Sequence, residues 1–270
     1  MSHEVDGESA GILSAMATAA QEVGRLLVAG PRPGPIVALD EFIEVYGALE
    51  ARMVAAIRPH LEALRPGVPW LEELDSDAVV PQDGELWVVD VVDGAVQYLQ
   101  DLPQFCVSLA LVRDAEPVAA VLHAPLLGQT YMAARGHGAT RDERPITPSA
   151  KTDPAAALVA TSQPPFIARQ PDAAAQAGRS LAALLPHVGA VRNLGPTSWQ
   201  IADTAAGRID AFWEFGHDGP NLLPGALIAL EAGAVVTDAD GQPWRAGADS
   251  FLAAPPALHE CLLELLAARG

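Results

Sequence analysis

Two aspartates three residues apart end an apolar stretch in the first half of the chain. Asp90 and Asp93 belong to the segment WVVDVVDG, whose other side chains are typical of a buried strand. A buried carboxylate is costly unless a cation or hydrogen-bond donors compensate its charge. At the end of a strand, this spacing lets both carboxylates and the Val92 carbonyl converge, which suits a hard cation such as Mg²⁺. The alternative is that both acids cap a turn.

A second acidic pair lies shortly before that strand. Glu72 and Glu73 stand in the apolar frame WLEEL. Three or four carboxylates would then share one site, and this number favours a divalent cation over a turn. A solvated turn with two exposed glutamates is the alternative, because glutamate is rarely buried without a partner.

The composition restricts the partners of such a site. A chain of 270 residues, 50% of them hydrophobic, can bury a large core. Its 16 basic and 34 acidic residues give a formal net charge of -18, which opposes binding to nucleic acid or to an anionic membrane surface. We therefore expect a small-molecule partner. An anionic one, such as a phosphate ester, requires a bound cation to reverse the local field.

The cysteine content and the apolar runs indicate a cytoplasmic protein. Cys106 and Cys261 are too few for a disulfide framework and wrongly spaced for a zinc site. No unbroken apolar run reaches the roughly 18 residues that a membrane span needs. The first ten residues carry acids instead of the basic start of a signal peptide. We expect neither secretion nor a membrane anchor.

The order of the predicted helices and strands indicates a layered protein. Apolar residues spaced by three and four predict helices over residues 9–28 and 39–64. Segments separated by turn residues predict an antiparallel sheet within residues 86–133. Short strands and helices then alternate, with strands at 158–162, 210–215, 234–241 and 251–255, and helices at 171–185, 196–206, 222–232 and 256–268.

This order predicts an α+β or α/β fold, a layered sandwich of helices and sheets with two subdomains. We expect an N-terminal α+β subdomain over residues 1–150 that carries the metal-site motifs. A C-terminal α/β subdomain is expected over residues 151–270.

Several segments resemble motifs of the inositol monophosphatase family. Its members are Mg²⁺-dependent, lithium-sensitive phosphomonoesterases, with relatives that act on fructose 1,6-bisphosphate and phosphoadenosine phosphates. The likeness covers nearly the whole chain and implies the family's layered sandwich, with an active site between two subdomains, and a homodimer. The matching segments are Trp87 with D-V-V-D-G-A at 90–95 (family D-P-I-D-G-T), L-E-E-L at 71–74 (G-E-E-S), P-N-L-L-P-G at 220–225 (W-D-x-A-x-G), E-A-G-A at 231–234 (E-A-G-G), 131–139 (Y-x-A-x-x-G-x-G-A) and 210–214 (D-A-Y-x-E).

The resemblance implies ligands for two metal ions. Glu72, Asp90 and the Val92 carbonyl correspond to the ligands of one Mg²⁺. Asp90, Asp93 and Asn221 correspond to the ligands of a second, for which the family has an aspartate at position 221. An amide offers an oxygen but no charge, so the second ion is expected to bind more weakly.

The resemblance also implies catalytic and substrate-binding residues. Ala95 occupies the position of a threonine that, with the glutamate, orients the attacking water, and a methyl group cannot do so. Glu214 corresponds to an acid that contacts substrate hydroxyls, which implies a phosphorylated polyol. The residues assigned to catalysis are Glu72, Asp90 and Asp93, and those assigned to substrate binding are Gly94, Ala95, Glu214 and Asn221.

Other acids near these motifs have two interpretations. Asp218 or Glu73 would substitute for the negative charge that position 221 lacks. Alternatively, Asp218 is a loop residue that caps the following helix. Glu214 is otherwise a surface acid at the end of a strand, and His217 is either a proton donor or a solvated loop residue. Residues 46–50 contain no clear match to an early helix aspartate that holds a third metal in the family.

Two functions fit these observations. The first is hydrolysis of a small sugar, cyclitol or related phosphate monoester, assisted by Mg²⁺ and weakened or altered by the missing groups. The alternative is a repurposed or catalytically silent relative, which binds a small ligand or catalyses a non-phosphatase reaction, for example in a specialised biosynthetic pathway.

Overall fold

A computed structural model describes residues 2–31, 34, 36–71 and 80–267 of the chain. Within these residues, helices and two β-sheets alternate in layers. Two single 3-10 turns, Pro154–Ala156 and Ile167–Arg169, lie between the sheets' strands in the sequence. The helices are α1 (Ser2–Ala29), α2 (Leu39–Leu64), α3 (Ala95–Leu99), α4 (Pro171–Leu184), α5 (Thr197–Ala205), α6 (Gly219–Ala232) and α7 (Pro256–Ala267).

The first sheet has seven strands, which neighbour one another in sequence order. All neighbouring pairs are antiparallel except the first pair, which is parallel. This arrangement confirms the antiparallel sheet predicted within residues 86–133. The strands are β1 (Trp70–Leu71), β2 (Glu85–Asp93), β3 (Cys106–Arg113), β4 (Glu116–Ala124), β5 (Gln129–Ala134), β6 (Ala139–Arg141) and β7 (Arg144–Pro145).

The second sheet has five strands and is mixed. Its strands are β8 (Leu158–Thr161), β9 (Ala190–Arg192), β10 (Ala211–Phe215), β11 (Val235–Thr237) and β12 (Ser250–Ala254). They lie in the order β11-β12-β10-β8-β9. Strand β10 pairs with β8 in parallel and with β12 in antiparallel orientation.

Helices α1 and α2 cover one face of the first sheet. Their apolar residues recur at helical spacing and form one buried stripe on each helix, as the sequence predicts. The stripes pack on alternate residues of β2 and β3. Their buried members include Met16, Ala20, Val23 and Leu27 of α1, and Met53, Ile57 and Leu61 of α2.

Helix α1 is also long and apolar enough to cross a membrane by length and composition. This candidate span, Ser9–Ala29, has 21 residues and a mean hydropathy of 1.2. The apolar runs of the sequence did not reveal this segment, because Glu22 and Arg25 interrupt the run without breaking the helix. The packing of α1 against the first sheet accounts for its apolar composition.

Helices α5 and α6 form the central layer, between the two sheets. Their core includes Tyr131 from the first sheet and Phe212 from the second. Gly225 of α6 allows the two helices to approach closely. A Cβ at this position would lie 2.8 Å from the Cβ of Ile201 on α5. Helices α4 and α7 cover the outer face of the second sheet. The resulting order, helices, sheet, helices, sheet, helices, confirms the predicted layered sandwich.

The sequence patterns missed the shortest elements. Strands β1, β6, β7 and β9 and helix α3 have two to five residues each, too few for a periodic signal.

Helix α6 begins at Gly219 and not at residue 222, since Pro220 fits the first turn of a helix. The chain changes from one sheet to the other between Pro145 and Leu158, while the proposed subdomain boundary at 150 stays a prediction.

Candidate functional site

The two aspartates of the first motif lie where β2 leaves regular pairing with β3. Asp90 pairs with Ser108 and Asp93 with Cys106, and the register shifts between these two pairs. The Val92 N–H donates to Asp90 Oδ1 at 2.9 Å, and the Cys106 thiol donates to Asp93 Oδ2 at 3.7 Å. Asp90 continues the alternation of the buried Leu86 and Val88, and the irregularity after it re-aims the side chain of Asp93.

Gly94 allows the sharp turn that follows. Its φ of 90° lies in the left-handed region, and a Cβ there would lie 2.9 Å from the Gln104 carbonyl oxygen. Only glycine adopts this conformation beside that carbonyl without strain. The turn leads directly into α3, which begins with the half-buried Ala95.

The second sheet and α6 supply two further buried acids. Glu214 on β10 is 0% exposed, and Asp218, just before α6, is 1% exposed. Asp218 has the backbone position of a helix N-cap, but its side chain caps no N–H. Its Oδ1 instead accepts a hydrogen bond from Asn221 Nδ2 at 2.7 Å. The interpretation of Asp218 as a capping side chain is therefore wrong.

Two oxygens of these acids lack a donor. Within the part of the chain that the structure describes, Glu214 Oε1 and Asp218 Oδ2 are buried without a hydrogen-bond partner. The other Glu214 oxygen lies 3.4 Å from the Thr197 hydroxyl, which donates to Ser162 at 3.0 Å. Compensation of the unpaired oxygens requires a proton shared by the two carboxyls or a bound cation.

The four acids influence one another electrostatically. Burial raises the pKa of Asp90 to about 7, and the nearby charge of Asp218 adds to the rise. Burial also raises the pKa of Asp218 to about 7, against the opposing effects of Glu214 and the Asn221 amide. Burial together with these neighbouring carboxylates raises the pKa of Asp93 and of Glu214 well above its ordinary value. The motifs from the two halves of the sequence therefore meet in one acidic site.

Helix α2 adds an acid that sequence reasoning passed over. Glu50 contributes to the raised pKa of Asp90, and its Oε1 accepts a hydrogen bond from the Tyr46 hydroxyl at 3.2 Å. The available signal was the spacing of four residues, which places a tyrosine and a glutamate on the same face of a helix. Residues 46–50 contain no aspartate, and Glu50 is the acid that this segment supplies.

The remaining residues singled out in the sequence have different outcomes. Glu72 and Glu73 lie outside the described residues. The exposed His217 contacts the Gln170 side chain through its backbone, which fits a solvated loop residue.

Glu231 of the E-A-G-A motif has a structural role that the sequence did not reveal. Its carboxylate accepts N–H bonds of 2.8 Å from both Gly136 and Gly138.

The donor chemistry of the site suits a hard divalent cation. Among the described residues, no Lys, Arg or His forms an ion pair with Asp90, Asp93, Glu214 or Asp218. Carboxylate oxygens without donors are the ligands that Mg²⁺ prefers. No three His, Cys, Asp or Glu side chains of the described segments form a metal-binding group by themselves. Glu72, the remaining expected ligand, lies outside those segments.

Comparisons with known proteins give matches along most of the chain. A model described as the inositol monophosphatase family matches residues 39–270. The inositol-1-monophosphatase ImpA of Mycolicibacterium smegmatis is 32% identical over 232 residues, which are 86% of this chain and 82% of the relative. The Nus factor SuhB of Pseudomonas aeruginosa is 33% identical over 208 residues, 76% of this chain and 74% of the relative. The solved inositol monophosphatase from Anabaena (Nostoc) sp. PCC 7120 has a TM-score of 0.79 and 26% identity, with 95% of each chain covered.

Proposed function

Because this chain belongs to the inositol monophosphatase family, we propose that it hydrolyses a small sugar, cyclitol or related phosphate monoester with the help of Mg²⁺. One observation carries the proposal. Asp93, Glu214 and Asp218 are buried and Asp90 is half-buried, their charges act on one another, and none of them forms an ion pair among the described residues. A site of this kind is stable and useful when it binds a positive ion.

The residues proposed to hold Mg²⁺ are those that offer hard oxygens. Asp90, Asp93 and the Val92 carbonyl, at the irregular end of β2, would hold one ion, and Glu72 would complete this set. When bound, the ion would polarise a phosphate and lower the pKa of bound water. The protein's own contribution is to hold the carboxylates apart from solvent, with Val92 N–H and the Cys106 thiol orienting them.

Ala95 is the reason to propose weakened hydrolysis. It begins α3 directly after the aspartates, where a hydroxyl would lie beside the site. Its methyl group neither donates nor accepts a hydrogen bond, so it cannot orient an attacking water. The chain keeps the acids that bind a cation and lacks this positioning group.

The proposed substrate is a small phosphorylated polyol. Gly94, Ala95, Glu214 and Asn221 are the proposed contacts, and the unpaired Oε1 of Glu214 is an acceptor suited to a hydroxyl. The formal charge of -18 favours a small molecule over nucleic acid or an anionic membrane. The name of the relative SuhB, a Nus factor, describes that protein's role. A homodimer and a cytoplasmic location complete the proposal.

A second candidate function is a repurposed or catalytically silent relative. Two observations favour it: the methyl group of Ala95 and the engagement of the Asn221 amide by Asp218. Under this function, the acids would serve a ligand other than a phosphate monoester.

A phosphate-release screen across sugar and cyclitol phosphates, with and without Mg²⁺, tests the proposal. We expect release that requires Mg²⁺ and is lost in Asp90→Asn. The control is Asp172→Asn, which removes an exposed acid from the first turn of α4. If the protein binds Mg²⁺ but releases phosphate from none of these esters, the second candidate function replaces the first.

A further inference from the structure

We propose that Asp218 is a cation ligand and that Asn221 is the positioning residue that orients it. This inference rests on the proposed function, because it concerns a second ion in the same site. It differs from the expectation that Asn221 itself is a ligand. The argument depends on what each atom of these two side chains contacts.

The two oxygens of Asp218 have different surroundings. Oδ1 accepts the Asn221 amide N–H at 2.7 Å, whereas Oδ2 is buried and has no hydrogen-bond partner among the described residues. One bond therefore holds the carboxylate in a single orientation and leaves its other oxygen free to bind. A carboxylate oriented by an amide is a common arrangement at metal sites.

The free oxygen belongs to a carboxylate whose charge acts on the aspartates of β2. The charge of Asp218 raises the pKa of both Asp90 and Asp93, so the three groups are near one another. Glu214, with its own unpaired Oε1, also lies beside Asp218. No three of these acids form a metal-binding group by themselves within the described segments, so a divalent cation bound by Asp218 would keep water molecules as further ligands.

Asn221 is well placed to be the orienting group. It lies in the first turn of α6, and its backbone carbonyl accepts a hydrogen bond from the Ser198 hydroxyl on α5. Its position is thus tied to the central layer between the two sheets. An aspartate at position 221 would remove the N–H and repel Asp218, which explains how an amide at this position is compatible with a cation site.

Binding of Mn²⁺ alone, followed by calorimetry and by electron paramagnetic resonance of free Mn²⁺, tests the inference without any substrate. We expect the wild type to bind two ions per chain and Asp218→Asn to bind one. Asn221→Ala is expected to keep both ions but to weaken the second by about 10- to 100-fold, while the first keeps its affinity. A merely structural role of Asn221 would not change one affinity selectively.

Asp172→Asn is the matched control, because it removes an acid from the first turn of another helix but from an exposed position. It should bind both ions like the wild type. Circular dichroism establishes that each variant folds, and Asn221→Ala provides the test should Asp218→Asn fail to fold. Unchanged Mn²⁺ binding in Asp218→Asn or in Asn221→Ala overturns the inference, and indicates that Asp218 and Glu214 share a proton instead.

The outcomes separate this inference from the proposed function. Mg²⁺-dependent phosphate release that Asp218→Asn leaves unchanged supports the function and overturns the inference. Two bound ions that depend on Asp218, without release of phosphate from any ester, support the inference and contradict the function. A wild type that binds no Mn²⁺ overturns both.

Discussion

Buried carboxylates occur in two kinds of surroundings in this protein. Asp210 accepts hydrogen bonds of 2.6 Å from both Lys151 Nζ and the Leu158 N–H. The half-buried Glu231 likewise accepts hydrogen bonds from two glycine N–H groups. Asp93 and Asp218 have only a thiol and an amide as side-chain donors, and no ion pair among the described residues. Acids that are buried to a similar degree therefore differ in how far the protein compensates their charge.

This difference separates acids whose charge the fold compensates from acids whose charge it leaves uncompensated. Asp210 joins the segment after the first sheet to β8 and has both donors it needs. Asp218 keeps an oxygen without a donor at a cost in stability. A fold tolerates an uncompensated buried charge where ligand binding offsets the loss of stability. An uncompensated buried acid is therefore a more informative sign of function than a compensated one.

The largest expected effect is on catalysis. Asp93→Asn removes one charge from the uncompensated group and should reduce Mg²⁺-dependent phosphate release by about a thousandfold, since a bound ion contributes several kcal/mol to the transition state. Phosphate release with a responsive ester measures this. Asp240→Asn, at an exposed turn, is the control and should keep full activity. Equal activity of both variants would place Asp93 with the structural acids.

A smaller gain is expected when a hydroxyl is added beside the acids. Ala95→Thr should increase Mg²⁺-dependent turnover on the order of a hundredfold, because a positioned side chain orients the attacking water. Ala95→Val, which has a similar shape without a hydroxyl, is the matched control and should bring no gain. A comparison of kcat for the three proteins decides the point. A gain with valine would attribute the effect to packing instead.

The compensated acids are expected to affect stability. Asp210→Ala leaves the Leu158 N–H without its partner and should lower the free energy of unfolding by about 2 kcal/mol. Lys151 is 44% exposed and can turn to water, which limits the loss. Urea unfolding measures the change, and Asp240→Ala should leave it within about 0.5 kcal/mol. Loss of Mg²⁺ binding by Asp210→Ala without loss of stability would contradict its structural role.

The smallest expected effect is a gain in stability, opposite in sign to the effect of Asp210→Ala. In EDTA, Asp218→Asn should raise the free energy of unfolding by about 1 kcal/mol, because it removes a buried charge that the protein does not compensate. In Mg²⁺ the advantage should disappear, since the wild type then gains binding energy. Thermal unfolding in both buffers measures this. A destabilisation in EDTA would show that Asp218 is compensated within the metal-free protein.

Much of the fold follows from local patterns. The stripes of α1 and α2 and the alternating segments of the first sheet are long enough for their period to be recognised. Short elements such as α3 and β9 depend on their neighbours and carry no period of their own. The same holds for the acidic residues. The spacing of Asp90 and Asp93 marks them as neighbours, whereas no local pattern predicts that Glu50 lies close enough to act on Asp90.

The sequence by itself determined the helical and strand periods, the two carboxylates of the first motif and the absence of charge at position 221. Only the tertiary structure decided which acids are compensated. Lys151 and Asp210 are 59 residues apart, and Asp218 meets Asp90 across two sheets. In the sequence, Asp210 and Asp218 are both acids near a strand end. The physical difference between them lies in donors supplied by distant segments, and those contacts form only when the layers pack.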